Sequence, residues 1–140
     1  METVGEKWLF FDVDGTLVPF GENAAPSKRT LDALARARAR GHKVFLCTGR
    51  TRCDIGPGLL CFDVDGVISG AGARIEMGGV CLRAKPLPLT LLRRTAAQIL
   101  RRHVSCILEG TYGFYYVGEG GERMPWDFPR IRRAGEITRA

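Results

Sequence analysis

The stretch that most constrains this chain is Lys7 to Val18, KWLFFDVDGTLV. Trp8, Leu9, Phe10 and Phe11 make a short continuous apolar run, which predicts a strand buried on both faces, as in a parallel sheet. Asp12 and Asp14 follow at its carboxyl end, where open α/β sheets bind ligands. Alternate residues of a strand share a side, so the two carboxylates should converge, with Val13 turned into the core. Two like charges so placed repel, and each is costly to desolvate; a divalent cation and hydrogen-bond donors would relieve both problems. Gly15 lets the chain turn away, and Thr16 adds a hydroxyl. Taken alone, Asp-x-Asp-Gly reads equally well as a polar turn after a strand.

The next forty residues decide between these readings. Ser27 is placed to N-cap a helix running to about Arg40, with Leu31, Leu34, Ala35 and Arg38 on one face and Gly41 just past its end. The Arg38 stem should lie along that face with its head in water. Lys43 to Cys47, KVFLC, is then a second buried strand, and it ends in Thr48-Gly49-Arg50. A right-handed βαβ unit opens both strand ends on one edge, so Thr48 should lie beside Asp12 and Asp14. A hydroxyl and a backbone N–H there suit a phosphate oxygen. Any helix after Arg50 should be brief, because Gly56, Pro57 and Gly58 break it.

An apolar strand entering Asp-x-Asp-Gly-Thr-Leu-Val, followed one βαβ unit later by Thr-Gly-Arg, resembles motifs I and II of the haloacid dehalogenase (HAD) superfamily. Arg50 directly after Thr-Gly resembles its sugar-phosphatase, Cof-like branch (subclass IIB). The resemblance implies an α/β fold: a partial HAD-like, Rossmann-like parallel core with the beginning of an inserted α/β cap. It implies a Mg²⁺-dependent phosphohydrolase acting on a small phosphorylated metabolite. In that reading Asp12 is the nucleophile that forms an aspartyl-phosphate, and Asp14 is the general acid and base. Mg²⁺ would be held by the Asp12 carboxylate and the Asp14 backbone carbonyl. Thr48, Gly49 and Arg50 would bind the substrate's phosphate.

The pentapeptide FDVDG recurs at 62–66, with Val67 where the first copy has Thr. A duplicated βαβ unit would need a second helix and a second Thr-Gly-Arg-like end, and neither follows. Asp63 and Asp65 therefore read as a turn. The run from Ile68 to Glu76 resembles the segment leading out of motif II in Cof-like proteins, with Ala71 in place of the usual Asn. Gly78-Gly79 between Ala73–Met77 and Val80–Ala84 is a hairpin signal. Leu89 to His103 reads as an amphipathic helix, with Leu89, Leu92, Ala96, Ile99, Leu100 and His103 on one face. Val104 to Leu108 and Tyr112 to Val117 read as an antiparallel pair. Such a helix and strands resemble the start of a cap, which in this branch covers the phosphate site. The expected organisation is thus a core over 1–70, a cap start over 71–117 and a tail over 118–140 that Trp126 and Phe128 could anchor.

Charge and cysteine content narrow the setting. The net charge of +6 is spread over several segments, so a dedicated nucleic-acid surface is not expected. Five cysteines without a Cys-x-x-Cys or Cys/His cluster argue against a disulfide framework or a zinc site, and most should be small buried apolar residues. No apolar run approaches a membrane span, and no signal peptide is evident, which points to the cytoplasm. Two parts of the resembled machinery lack a match. Lys85 is the only lysine after Thr48 and precedes no strand ending in paired Asp. Acidic residues that would complete a Mg²⁺ shell are not visible. The chain is therefore expected to be a fragment, a truncated product, or a subunit that completes its core by self-association or with another chain, and to be weak or inactive alone. The reading left open beside it is a non-catalytic module that binds phosphate or nucleic acid.

Overall fold

The computed structural model describes residues 5–19, 25–60, 62–118 and 128–138. Its chain forms two compact units, Met1–Lys85 and Pro86–Ala140. The mixture of parallel strands and helices is α/β, with a partial parallel core.

In the first unit β1 (Trp8–Phe11), α1 (Lys28–Ala39) and β2 (Lys43–Cys47) form the expected βαβ unit, with β1 and β2 parallel and Phe11 opposite Leu46. Ser27 caps α1: its hydroxyl accepts from the Thr30 N–H at 3.1 Å, a bond of the kind that contributes about 1 kcal/mol. Gly41 takes φ 84°, the left-handed conformation that ends helices at that position. Leu34 is the buried residue of α1, and it packs with Val13, Leu17, Val18, Val44, Leu46, Ile55, Leu59 and Val67 in one core. These are the residues on the α1 side of the sheet.

The sheet is larger than the sequence predicts. A third parallel strand, β3 (Gly66–Ser69), pairs with β2, and the hairpin β4 (Arg74–Met77) and β5 (Val80–Ala84) continues the same sheet in the order β1-β2-β3-β4-β5. The hairpin turn lies at Gly78-Gly79 as expected, but the hairpin belongs with the core and not with the following segment. The physical reason is its pairing: Ile68 lies opposite Ile75 along a four-residue antiparallel ladder. The first unit accordingly runs to Lys85, where the sequence places a division after residue 70.

β1 is buried on one face only. Trp8 and Phe10 are 52% and 53% exposed. Both stack on Phe45 of β2, with ring centroids 5.2 and 4.9 Å apart, so Phe45 is buried beneath them. Cys47 is also exposed, and none of the four described cysteines is fully buried, contrary to expectation; Cys61 lies outside the described residues. Cys47 shares the aromatic face with Phe45, two residues before it. Among the described residues of the first unit, no helix covers that face.

The second unit contains α2 (Leu89–Arg101), β6 (Cys106–Glu109), β7 (Phe114–Val117) and β8 (Arg130–Ile131). Ala96, Val117, Ile131 and Ile137 form its buried core, with Leu89, Leu92, Ile99 and Leu100 packed against it. β6 and β7 are antiparallel, and β8 adds parallel to β7. The helix is two residues shorter than expected: His103 lies just beyond it with φ 52°, and it ends the helix in place of a glycine. In the tail, Phe128 stacks on Phe114 at 5.0 Å, whereas Trp126 lies outside the described residues.

Candidate active site

Each candidate residue follows a parallel strand of the first unit. After β1 the chain leaves the sheet in a tight turn. The N–H groups of Thr16, Leu17 and Val18 all donate to the Val13 carbonyl, at 3.0 to 3.2 Å, and Gly15 N–H donates to the Val18 carbonyl at 2.8 Å. Gly15 has φ 77°, which glycine adopts without strain. Val13 is fully buried, so the turn is pinned by an apolar anchor between the two aspartates. Asp12 is exposed, and among the described residues its carboxylate has neither a hydrogen bond nor an ion pair.

Asp14 is held by Arg50. The guanidinium grips the carboxylate with two donors: Nη2 to Oδ1 at 2.6 Å and Nε to Oδ2 at 2.9 Å. Such forks are charge-assisted and planar, and they fix orientation as well as adding energy. The Arg50 hydrogen bond is the main reason the Asp14 carboxyl lies below the ordinary carboxylate value; partial burial opposes it and the Arg50 charge adds to it. Asp14 therefore rests as a carboxylate.

Arg50 is itself held. Its Nη1 donates to the Asp54 carbonyl at 3.3 Å, and its Nε lies 3.8 Å from Asp54 Oδ2. Asp54 ends the short 3₁₀ turn Arg52–Asp54, the brief helix expected after Arg50. This support is absent from the sequence reading, though the i,i+4 spacing of Arg50 and Asp54 is a signal that could have found it.

Thr48 is buried, 4% exposed. Its N–H donates to the Ile68 carbonyl of β3 at 2.9 Å, and its hydroxyl accepts from the Arg50 N–H at 3.1 Å. The segment after β3 locks the turn from outside, with Gly70 N–H on the Arg50 carbonyl at 2.7 Å and Ala71 N–H on the Thr48 carbonyl at 3.2 Å. Gly49 is exposed between them. Of the five candidates, contacts join Asp14, Arg50 and Thr48; Asp12 and Gly49 stand at the ends of the same two strands without touching that trio through side chains. A groove of about 380 Å³ beside α1, floored by Phe11, Leu17 and Leu34, takes in none of the five.

This strand-end arrangement is matched by kinship. The haloacid dehalogenase-like hydrolase family matches residues 9–131 of the chain. The chain belongs to that family. A 92-residue stretch is 30% identical to the putative phosphatase YkrA of Bacillus subtilis (strain 168), covering 66% of this chain and 35% of YkrA. Among solved structures, the HAD subclass IIB sugar phosphatase BT4131 superposes with a TM-score of 0.75 at 25% identity, over 95% of this chain and 54% of that one. The phosphatase BT1666 of Bacteroides thetaiotaomicron gives 0.70 at 26% identity, over 86% and 44%. The chain thus spans about a third of the length of YkrA and about half that of these two structures.

HAD superfamily phosphatases generally use Mg²⁺, an ion that demands near-octahedral oxygen coordination. Among the described residues no three His, Cys, Asp or Glu side chains gather where they could hold a metal. The Asp12 carboxylate and the Asp14 backbone carbonyl are two oxygens of the six such an ion needs. These residues of the HAD-like chain do not fit a self-contained Mg²⁺ site. No described helix is long and apolar enough to cross a membrane.

Proposed function

We propose that this chain carries the phosphoryl-transfer half of a HAD-type phosphatase of the sugar-phosphatase branch, acting on a small phosphoester through an aspartyl-phosphate. The observation that carries the reading is the division of labour between the two aspartates. Asp12 is exposed and unpaired, as a nucleophile must be, whereas Asp14 is oriented by a bidentate arginine.

In this reading an Asp12 carboxylate oxygen attacks phosphorus. The bond from phosphorus to the leaving oxygen breaks as the aspartyl–phosphorus bond forms. Asp14, which rests as a carboxylate on Arg50, takes a proton from the substrate's phosphate monoanion and passes it to the departing alkoxide. In the second half Asp14, again a carboxylate, takes a proton from water, which attacks the acyl phosphate and releases inorganic phosphate and free Asp12. Thr48, Gly49 and Arg50 hold the non-bridging phosphoryl oxygens, which neither attack nor leave. Mg²⁺, when bound, supplies charge neutralisation between the carboxylate and the phosphoryl group. Asp12 and Asp14 alone leave most of its coordination shell to water or to further protein oxygens.

Turnover by this chain alone is therefore weak. Completion by a second copy or another chain would supply the missing oxygens, and β1 and β5 are the edge strands of the sheet among the described residues. The free cysteines fit a reducing compartment such as the cytoplasm. A second reading, a phosphate-binding module without turnover, is favoured by the absence of a three-ligand cluster among the described residues. Hydrolysis of a generic phosphate monoester, with and without Mg²⁺, tests the choice. The proposal expects slow hydrolysis that Asp12→Asn abolishes. Phosphate binding with no Asp12-dependent hydrolysis would leave the module. Salt-sensitive binding of DNA or RNA that ignores Asp12→Asn, with no phosphate binding, would overturn both.

A further inference from the structure

A guanidinium fork presents one planar face, and that face takes one oxyanion at a time. Carboxylate and phosphate both match it, so the two compete wherever they can both reach. In this site the Arg50 face formed by Nη2 and Nε is filled by the protein's own carboxylate, at 2.6 and 2.9 Å from Asp14. Thr48, the other candidate phosphate contact, is buried, and its hydroxyl already accepts from Arg50 N–H. Arg50 is therefore the accessible cation of the site, and its anion-binding face is occupied from within.

Three features make this occupancy exchangeable. The side chains of Asp14 and Arg50 are 34% and 27% exposed, so the pair is not sealed off from an incoming anion. Partly exposed pairs of this kind are weak enough to exchange. The guanidinium has a second anchor in Asp54, whose carbonyl accepts from Nη1 at 3.3 Å and whose carboxylate lies 3.8 Å from Nε, beyond the two short bonds to Asp14. That contact can persist when Asp14 leaves, so Arg50 need not swing to change partners. Asp12 makes no contact with Arg50, and its free carboxylate does not take part in the exchange.

We propose that Asp14 is an internal competitor for the anion site on Arg50: the Asp14–Arg50 fork is a self-inhibitory contact that a phosphate displaces on binding. The inference rests on the reading of this edge as a phosphate site, and it adds that the resting site is closed by its own general acid. Binding the phosphate and releasing Asp14 from its fork are then one event. An anion that cannot compete for a bidentate fork would leave Asp14 locked.

The test is the affinity for inorganic phosphate at low ionic strength, measured by titration calorimetry on wild type, Asp14→Asn, Arg50→Gln and the double variant. Circular dichroism checks the fold of each, and Asp14→Ala serves as a second variant in which no fork can form. The expected result is binding about threefold to fivefold tighter in Asp14→Asn and Asp14→Ala than in wild type, the most that a partly exposed pair worth about 1 kcal/mol can withhold. Arg50→Gln should bind more weakly than wild type. In the Arg50→Gln background, Asp14→Asn should change affinity by less than about twofold, because no fork remains to be freed. An equal gain with and without Arg50 would overturn the inference, since it would show simple relief of charge repulsion. No gain in either Asp14 variant, with wild type still binding phosphate, would also overturn it while leaving the phosphate-site reading in place. Failure of all the proteins to bind phosphate would remove both.

Discussion

The pentapeptide Phe-Asp-Val-Asp-Gly occurs twice in the first unit, over 11–15 and 62–66. The first copy leaves the carboxyl end of β1, and the second leads into the amino end of β3. Because β1 and β3 both run parallel to β2, the two copies sit at opposite edges of one sheet. In the first, Gly15 takes φ 77° and turns the chain back. In the second, Gly66 is a buried strand residue, needed for a different reason: a Cβ there would lie 2.5 Å from the Glu76 carbonyl and 2.8 Å from the Phe45 ring.

The aspartates differ as much. Asp65 clamps β3 to β2: its N–H donates to the Val44 carbonyl at 2.8 Å, and its Oδ2 accepts from the Val44 N–H at 2.9 Å. Arg38 Nε at 3.3 Å and Lys43 Nζ at 3.5 Å neutralise it. Asp63 reaches Arg38 at 3.3 Å but is 92% exposed. The head of Arg38, expected in water, is thus spent on this clamp. One sequence gives a structural brace where it enters a parallel strand, and a free carboxylate, Asp12, beside an arginine-held one, Asp14, where it leaves one. Position relative to strand polarity, and not the motif itself, separates the two roles.

The largest expected effect is at the second copy's glycine. Gly66→Ala should destabilise the fold by about 3 kcal/mol, because its contacts are backbone and a packed ring that cannot yield, whereas Gly15→Ala should cost only about 1–2 kcal/mol for its left-handed φ. Urea midpoints of the two variants measure the difference; equal losses would erase the contrast. Next, Asp65→Ala should cost about 2–3 kcal/mol by leaving the Val44 N–H unbonded and removing the carboxylate that Lys43 and Arg38 share, and Asp63→Ala should leave the midpoint where it is. If Asp63→Ala were the more damaging, the clamp would be misassigned.

Acid should expose the brace as well. Burial raises the Asp65 carboxyl, but the Val44 N–H, Arg38 and Lys43 outweigh it and hold it below the ordinary 3.8. A depressed folded value means that the stabilisation is complete above the unfolded value and is lost as pH falls through the folded one. Glu76, held down chiefly by Arg74, acts in the same sense. Melting temperature should therefore drop as pH is lowered below about 4, and Asp65→Asn should flatten part of that slope. The smallest effect lies just past β3, where Ala71 sits at φ 51°, ψ 40°. Ala71→Gly should stabilise by about 1 kcal/mol by removing left-handed strain, read as a shift of the same urea midpoint.

Much of this was legible in the residues. Ser27 and Gly41 bounded α1, KVFLC marked β2, and Gly78-Gly79 marked the hairpin turn. Strand ends marked Asp12, Asp14 and Thr48 as candidates on one side of the sheet, and the roles proposed for them came from the resemblance of the two motifs to the family. β3 escaped because it is four residues long and begins at a glycine that reads as a turn. Its existence depends on Asp65 bonding to Val44, twenty-one residues away, which no local pattern reveals. β8 is two residues long and gains its place only through Tyr116 and Val117 of β7. The hairpin's allegiance to the first unit follows from β3, so missing one strand also misplaced the boundary. The resting partner of Arg50 was hidden for the same reason, since a fork between residues 14 and 50 is a tertiary contact.

The most direct measurement is a titration of the ¹⁵N-labelled protein with inorganic phosphate, followed residue by residue through backbone amide shifts. Shifts should concentrate at Asp12 to Thr16 and at Thr48 to Arg50, and Asp63 to Gly66 should stay still although they repeat the sequence of Asp12 to Gly15. Shifts at the second copy, or confined to the arginines of α2, would contradict this expectation.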